Sequence, residues 1–459
     1  MYIIRERRNY KETVYEKWIV NNKSEQILLK KVKVKSVEVS DDKGTQYFLL
    51  YNSRMELISD AFKFINIKMV KHSPNSKEKA VYTLKQLFAF AELFNLDYKK
   101  INEKQAEEFK QFLYGGTKNG AIYEINIETQ RGADTINEYL GYCRKFYEFL
   151  KIKDSSFHQI NTVIEKSGTG FMAHANKNTV VEYKLNDKSQ YDNHKVPMYI
   201  KPFELKRILE VIRKEYSIRE EIIVRLMYEC GLRLGEVLGL TLEDITTSPE
   251  DICNKNKDEL GKLIIRNRVS DNKWQLAKGC IIPGGFEDYK NDFYNKENVG
   301  YEVAKPTISL LSIIEEYISN EHGHMTTRRR KNYLAYSKAD MVTDGKNLSG
   351  DNYYLFLNKN GAPLAKSGWN KIIRVIFLKT GLKVDKKERK HNLNHRFRHG
   401  YAMYLKKYHN YKEVDLMHAL RHKSILSVAI YFRPDDDDLY EANKQSTEGM
   451  YKLIPELRI

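Results

Sequence analysis

The sequence predicts a mainly α protein with a small β-sheet, of the α+β class, built from a helical domain and a larger mixed domain. Three observations lead there. Apolar residues recur at three- and four-residue intervals around 82–91 and 139–150, and again from 202 onward. Between Asp154 and Pro197 that periodicity fades into Asn, Lys, Ser, Thr and Gly, the composition of an exposed connector. Short β-rich runs are confined to the first 50 residues and to the middle of the second half.

A chain of 459 residues with 41% hydrophobic, 12% aromatic and only 9 prolines can bury a sizeable core, which argues against wholesale disorder. No apolar run approaches the roughly 18 residues of a membrane-spanning helix, and the N-terminal residues lack the apolar core of a secretory signal. The expectation is a cytoplasmic, bacterial, nucleoid-associated protein with no membrane partner. Four dispersed cysteines, Cys143, Cys230, Cys253 and Cys280, offer neither a zinc spacing nor a disulfide framework and read as reduced thiols. The 78 Lys and Arg against 61 Asp and Glu leave a net charge of +17. Such an excess favours a polyanion, because cations that neutralise phosphates release condensed counterions, and nucleic acid is the leading partner.

The first element, 1–54, is a basic N-terminal extension with ten Lys or Arg against four Asp or Glu over residues 1–36, a candidate nucleic-acid-binding module. Ile27–Leu29 and Val32–Lys35 are β-rich runs within it. Residues 55–155 read as a helical domain and 156–196 as a linker. The mixed domain, 197–438, opens on an amphipathic helix with Pro202 in its first turn. Ser217 and Glu220 then make an S-x-x-E capping box ahead of Ile222–Tyr228, and Gly231 stands where a helix end wants a left-handed residue. Leu263–Arg266 and Pro306–Leu310 read as short strands with 283–304 as an insertion between them. Residues 439–459 form a tail that either docks on a neighbouring protomer or packs on its own chain.

Three segments concentrate charged and nucleophilic side chains. In Gly231-Leu232-Arg233-Leu234-Gly235-Glu236, an Arg follows a helix stop and a carboxylate one turn later can hold its guanidinium. In His395-Arg396-Phe397-Arg398-His399, positions 395, 398, 399 and 402 share one helix face, where two imidazoles and a guanidinium repel unless an anion lies opposite. Arg396 points off that face toward backbone or solvent. In Leu420-Arg421-His422 through Tyr431, a turn His precedes a Tyr by nine residues, with Pro434 closing the segment. Singly, each has an ordinary structural explanation: a surface ion pair, a solvated basic patch, a packing tyrosine among 32. Glu321-His322-Gly323-His324 lacks further ligands and reads as an exposed loop rather than a metal site, and Arg328–Lys331 as a phosphate-contacting or solvated run.

Taken together, the order, types and intervals of the three segments resemble those of the tyrosine recombinase (phage integrase) family. The resemblance covers roughly 195–435 by motif, and 55–155 is similar to that family's helical core-binding domain. It implies that Arg233 and Arg398 clamp a scissile phosphate, that His395 and His422 bond its oxygens or assist proton transfer, and that Tyr431 attacks phosphorus. It also implies a hairpin-borne general-acid lysine. Lys278, in Ala277-Lys278-Gly279, matches that place best, with Lys273 the alternative. Arg421 stands where the family usually has Gly, and the competing frame His391-x-x-Asn394-His395 lacks the second Arg.

The expected activity is site-specific DNA cleavage and rejoining through a covalent 3′-phosphotyrosyl intermediate, in integration, excision or transposition of a mobile element. Fixed cationic donors can stabilise the charge of phosphoryl transfer, so no cofactor and no metal are expected. The resemblance further implies a homo-tetramer on DNA, a monomer in solution, and accessory DNA-bending or directionality proteins. The rival readings are a metal-independent tyrosine topoisomerase and a catalytically inactive DNA-binding protein of the same fold.

Overall fold

The computed structural model describes residues 2–9, 12–21, 25–40, 46–70, 72–116, 123–167, 177–187, 196–337, 339–340, 342, 352–384, 393–433 and 436–457. The chain divides into two compact units, Met1–Tyr191 and Asp192–Ile459.

In the first unit, β1 (Tyr2–Asn9), β2 (Glu12–Val20), β3 (Gln26–Val32) and β6 (Tyr123–Asn126) form one sheet in the order β3-β2-β1-β6, while β4 (Lys35–Ser40) and β5 (Gln46–Tyr51) pair as a separate hairpin. β1 runs antiparallel to β2 and parallel to β6. The helices are α1 (Ser59–Lys63), α2 (Pro74–Phe94), α3 (Glu103–Tyr114) and α4 (Ala133–Phe149). Local chemistry sets their ends. Ser73 caps α2 by accepting from the Ser76 amide ahead of Pro74, and Asn102 and Gln105 close a reciprocal capping box on α3.

Residues 1–54 do not stand apart as an extension. Ile4, Tyr15, Val32 and Leu50 are buried in one core with Leu84, Leu87, Phe109 and Phe146. The Tyr15 hydroxyl reaches Gln86 at 2.7 Å, and its ring packs on Phe112 at 4.9 Å between centroids. Period-two burial hid this from a reading dominated by the segment's lysines.

The stretch expected as an exposed linker also carries structure. β7 (Ile160–Ser167) and β8 (Lys177–Tyr183) pair antiparallel. Beyond them Leu185 is buried, and Asp187 pairs with Lys110 at 2.9 Å while its carbonyl accepts from Asn137 at 2.8 Å. Both strands intersperse Val, Ile and Thr with Asn, Glu and Lys, so β-formers are present without an apolar run, which is why composition alone read as a connector.

The second unit strings α5 (Pro202–Glu215), α6 (Ile218–Glu229), α7 (Leu234–Leu238) and α8 (Pro249–Asn254) ahead of the pair β9 (Leu263–Arg266) and β10 (Tyr301–Ala304). After these come α9 (Ile308–Gly323), α10 (Thr327–Asn332), α11 (Lys366–Lys379), α12 (His395–His409), α13 (Glu413–Ala419) and α14 (Asp436–Leu453). Its core gathers Ile208, Ile223, Leu226, Leu311, Trp369 and Phe397. The chain is thus mainly α with small sheets.

Two expectations fail here. Pro306–Leu310 is not a strand: Thr307 accepts from the Leu310 amide and starts α9, whose Ile308, Leu311 and Ile314 face the core at helical spacing. The strand paired with β9 is Tyr301–Ala304, inside the stretch read as insertion. Ser217 precedes α6 as expected, yet no capping box forms, because its hydroxyl donates to the Glu220 carboxylate at 2.6 Å, which also takes the Arg219 guanidinium.

Candidate active site

α6 ends on Gly231, whose φ of +60° places it in the left-handed region. A Cβ there would lie 2.6 Å from the Tyr401 ring, so only glycine lets α12 approach. The turn delivers Arg233 to the N-cap of α7. Glu236 accepts from the Arg233 amide at 2.9 Å and from its guanidinium at 2.6 Å.

Glu236 is fully buried and faces three guanidiniums: Arg233, Arg421 at 3.1 Å and Arg398 at 4.0 Å. Burial alone would raise its carboxyl. The charges of Arg421, Arg398 and Arg233 more than reverse that and hold it at about 2. Arg398, 2% exposed, donates to the carbonyls of Gly231 and Leu420 and so ties α12 to the turns before α7 and after α13. Burial pulls its pKa down to about 9, which leaves it cationic at neutral pH.

One turn of α12 presents His395 and His399 with stacked rings, 5.9 Å between centroids. Burial, then Arg398 and Arg233, lower His395 to about 4; burial, then His395 and Arg398, lower His399 to about 3. Both rings are neutral at physiological pH. The His399 Nδ1 lies 2.7 Å from the Tyr431 hydroxyl. Tyr431, 3% exposed, sits on a short 3-10 turn, Ala429–Phe432, with its ring packed among Met403, Leu416, Leu420 and Val428. Burial pushes its phenol up to about 12 against the opposing pull of Arg398 and Arg233. Pro434, expected to close this segment, lies outside the described residues, as does His391 of the competing frame.

His422 follows α13, its amide bonded to the Met417 carbonyl. Its buried Nδ1 has no hydrogen-bond partner among the described residues, and burial with Arg398 and Arg233 lowers its pKa to about 4.

Lys278 is exposed and forms no ion pair or hydrogen bond among the described residues, whereas Lys273 is half-buried. The turn bearing Lys278 is pinned by the buried Asn267. Its carboxamide donates to the carbonyls of Ala277, Cys280 and Ile281 and accepts from the Ala277 amide at 2.6 Å. Tyr294, from the 283–304 stretch, braces that loop through the Asn267 carbonyl at 2.6 Å. At Gly279 a Cβ would fall 2.2 Å from a Glu302 carboxylate oxygen, which sets the Lys278 turn against the carboxylate that Arg421 holds.

The model of the phage integrase family matches residues 198–262, a stretch that contains Arg233 and Glu236 and ends before Lys278. Transposase A from transposon Tn554 of Staphylococcus aureus is 30% identical over 224 residues, 47% of this chain, and the chain spans 59% of that relative's length. Tyrosine recombinase XerH of Campylobacter jejuni is 23% identical over 399 residues, 78% of this chain and 92% of the relative. The chain is thus similar to tyrosine recombinases and carries a segment of the phage integrase type. Among solved structures, XerH bound to a palindromic difH substrate aligns at TM-score 0.47 and 19% identity, covering 80% of this chain and 79% of that one. The Tn1549 transposon integrase with circular intermediate DNA aligns at TM-score 0.43 and 16% identity, covering 82% and 97%.

The folded chain gathers Arg233, His395, Arg398, His422 and Tyr431 into one cluster and sets Lys278 on the turn beside it. Sequence reasoning did not assign His399 to the site, although its position four residues after His395 on one helix face was the available signal. Glu302 gave no signal, because its strand was read as insertion. Arg396 turns to backbone, donating to the Lys383 carbonyl at 2.8 Å and lying over the Phe377 ring. His322 is not in an exposed loop: it closes α9, with one ring nitrogen 2.9 Å from the Tyr333 hydroxyl and the other 2.9 Å from the Leu355 carbonyl. No group of three or more metal-ligating side chains occurs among the described residues. No helix among them is long and apolar enough to cross a membrane.

Proposed function

We propose that this protein is a site-specific DNA recombinase of the integrase or transposase type, which cleaves and rejoins double-stranded DNA through a 3′-phosphotyrosyl intermediate. The observation that carries the reading is the Tyr431 hydroxyl, hydrogen-bonded to a neutral imidazole 2.7 Å away and under the charge of Arg233 and Arg398.

In the cleavage step the Tyr431 oxygen forms a bond to phosphorus while the bond to the 5′-oxygen breaks. The Tyr431 proton passes to His399 Nδ1. With the phenol at about 12 and the imidazole at about 3, this transfer is uphill in the resting site, so the proton moves as the new P–O bond forms. Arg233 and Arg398 bind the non-bridging oxygens, whose charge grows in the transition state. The unpartnered His422 nitrogen supplies a further bond to that group, and neutral His395 flanks it. Lys278 delivers a proton to the departing 5′-oxygen. The phosphotyrosyl ester conserves the broken bond's energy, so a 5′-hydroxyl from another strand can reverse the step.

Exchange between two duplexes requires four strand cleavages and hence four such sites, which supports a homo-tetramer on DNA assembled from monomers. α14 keeps Leu439, Tyr440, Met450 and Leu453 exposed, as a tail that docks on a neighbouring protomer would. Accessory bending or directionality proteins fit the same scheme, as does a cytoplasmic, nucleoid-associated location.

The test uses a pool of nicked suicide duplexes randomised around the nick, incubated with the full chain in EDTA. Expected is a denaturation-resistant adduct on the 3′-phosphate side, enriched in particular sequences and absent in Tyr431→Phe. An adduct that persists in Tyr431→Phe, or a strict metal requirement, refutes the mechanism. Supercoil relaxation with no sequence enrichment would assign a topoisomerase instead.

A further inference from the structure

Arg421 has a positive φ of +52°, a conformation that costs any side-chain-bearing residue and that glycine adopts freely. The sequence nevertheless places there a long, charged side chain, and its guanidinium is fully engaged. Nε donates to Glu302 at 3.1 Å, Nη2 to Glu236 at 3.1 Å, and Nη1 to the Cys230 carbonyl at 3.1 Å.

Those three partners come from two different parts of the unit. Cys230 and Glu236 flank the turn that delivers Arg233. Glu302 lies on β10 against Gly279, the neighbour of Lys278. Arg421 itself immediately precedes His422 and the segment bearing Tyr431. Both carboxylates are buried, and Glu302 is pushed upward by burial and by Glu236, with Arg421 the first cation to oppose them.

We propose that Arg421 is a positioning residue for strand cleavage: its left-handed backbone throws the guanidinium between Glu236 and Glu302, neutralises Glu302 beside the Lys278 turn, and locks the His422–Tyr431 segment to the Arg233 turn. The inference rests on the strand-transfer reading above. Without this guanidinium, the Glu302 carboxylate faces Glu236 and the Lys278 turn without its nearest counter-charge, and the nucleophile segment loses its tie to α7.

Adduct formation by the full chain on a selected suicide duplex is followed for wild type, Arg421→Gly, Arg421→Met and each of these combined with Glu302→Gln. Arg421→Gly relieves the backbone and is nonetheless expected to slow adduct formation by about 10²-fold, the scale set by misplacement of reacting groups. DNA affinity, measured by gel shift, should stay within about twofold, since Arg421 faces protein carboxylates rather than DNA phosphates. Neutralising Glu302 in the same chain should restore at least about tenfold of the rate, a coupling a purely packing role would not show. Arg421→Met keeps the aliphatic stem, so a folded protein without the guanidinium is measured even if the glycine variant melts. Wild-type rates in both single variants, or no recovery with Glu302→Gln, overturn the proposal. If the wild-type chain itself forms no adduct, the strand-transfer reading has failed instead.

Discussion

Glu236→Gln tests the electrostatic centre of the site by removing one charge and almost no volume. A carboxyl held at about 2 against its ordinary 4.5 corresponds to about 3 kcal/mol favouring the charged, folded form, since each tenfold change in protonation is worth about 1.4 kcal/mol. Replacing it leaves Arg398 and Arg421 buried beside a neutral amide, and breaking a buried pair from one side costs about 3–5 kcal/mol, in agreement. For a unit of this size, that predicts a drop in melting temperature of about 6–12 °C. The sign with pH is fixed. The folded pKa is depressed, so the contribution is fully present above about 4.5 and is lost as pH falls toward about 2. Urea unfolding of wild type and variant from pH 7 to pH 3 should therefore show a gap that is widest at neutral pH and narrows in acid. A melting change below about 2 °C, or a gap that widens in acid, refutes the assignment of Glu236 as the counter-charge to three guanidiniums.

Asn267→Ala removes a carboxamide that makes four hydrogen bonds to the Lys278 turn, and at about 1 kcal/mol net for each bond it should cost about 2–4 kcal/mol in stability. Adduct formation should slow as well, and a 5′-bridging sulfur substrate, whose leaving group needs no proton, should cleave nearly normally in Lys278→Ala but remain slow in Lys273→Ala if Lys273 is instead structural. His395, His399 and His422 all have pKa values lowered from the ordinary 6.5 to about 4, about 3 and about 4. The unfolded chain therefore binds protons first, and stability should fall as pH drops below about 6.5, whereas the cleavage rate should show no imidazole titration between pH 6 and 8.

The part of the site that sequence alone disclosed consists of residues whose chemistry is carried by local spacing. Gly231 before Arg233 is a helix stop, Glu236 one turn on is a carboxylate within reach, and His395 and Arg398 share a helix face; each relation spans four residues or fewer. The fold was legible on the same terms, with α2, α4 and α5 announced by apolar period and the two ends of α6 marked by Ser217 and Gly231. Reading failed where a residue's role depends on partners distant in the chain. β10 carries Glu302 only because Val303 and Ala304 pair with Ile264 and Leu263 across 267–300, and no local signal separates that from a polar insertion. Tyr15 reads as one aromatic in a basic N-terminal stretch until Gln86 and Phe112 are placed against it. Arg421 shows the same limit from the other side. As a sequence symbol it looks like a departure from the glycine of the family's turn, and only the two carboxylates that meet its guanidinium turn the departure into a reason. In a site that buries guanidiniums and carboxylates side by side, the informative deviations are then those that alter the count of both together, because neither can change alone without leaving an uncompensated charge.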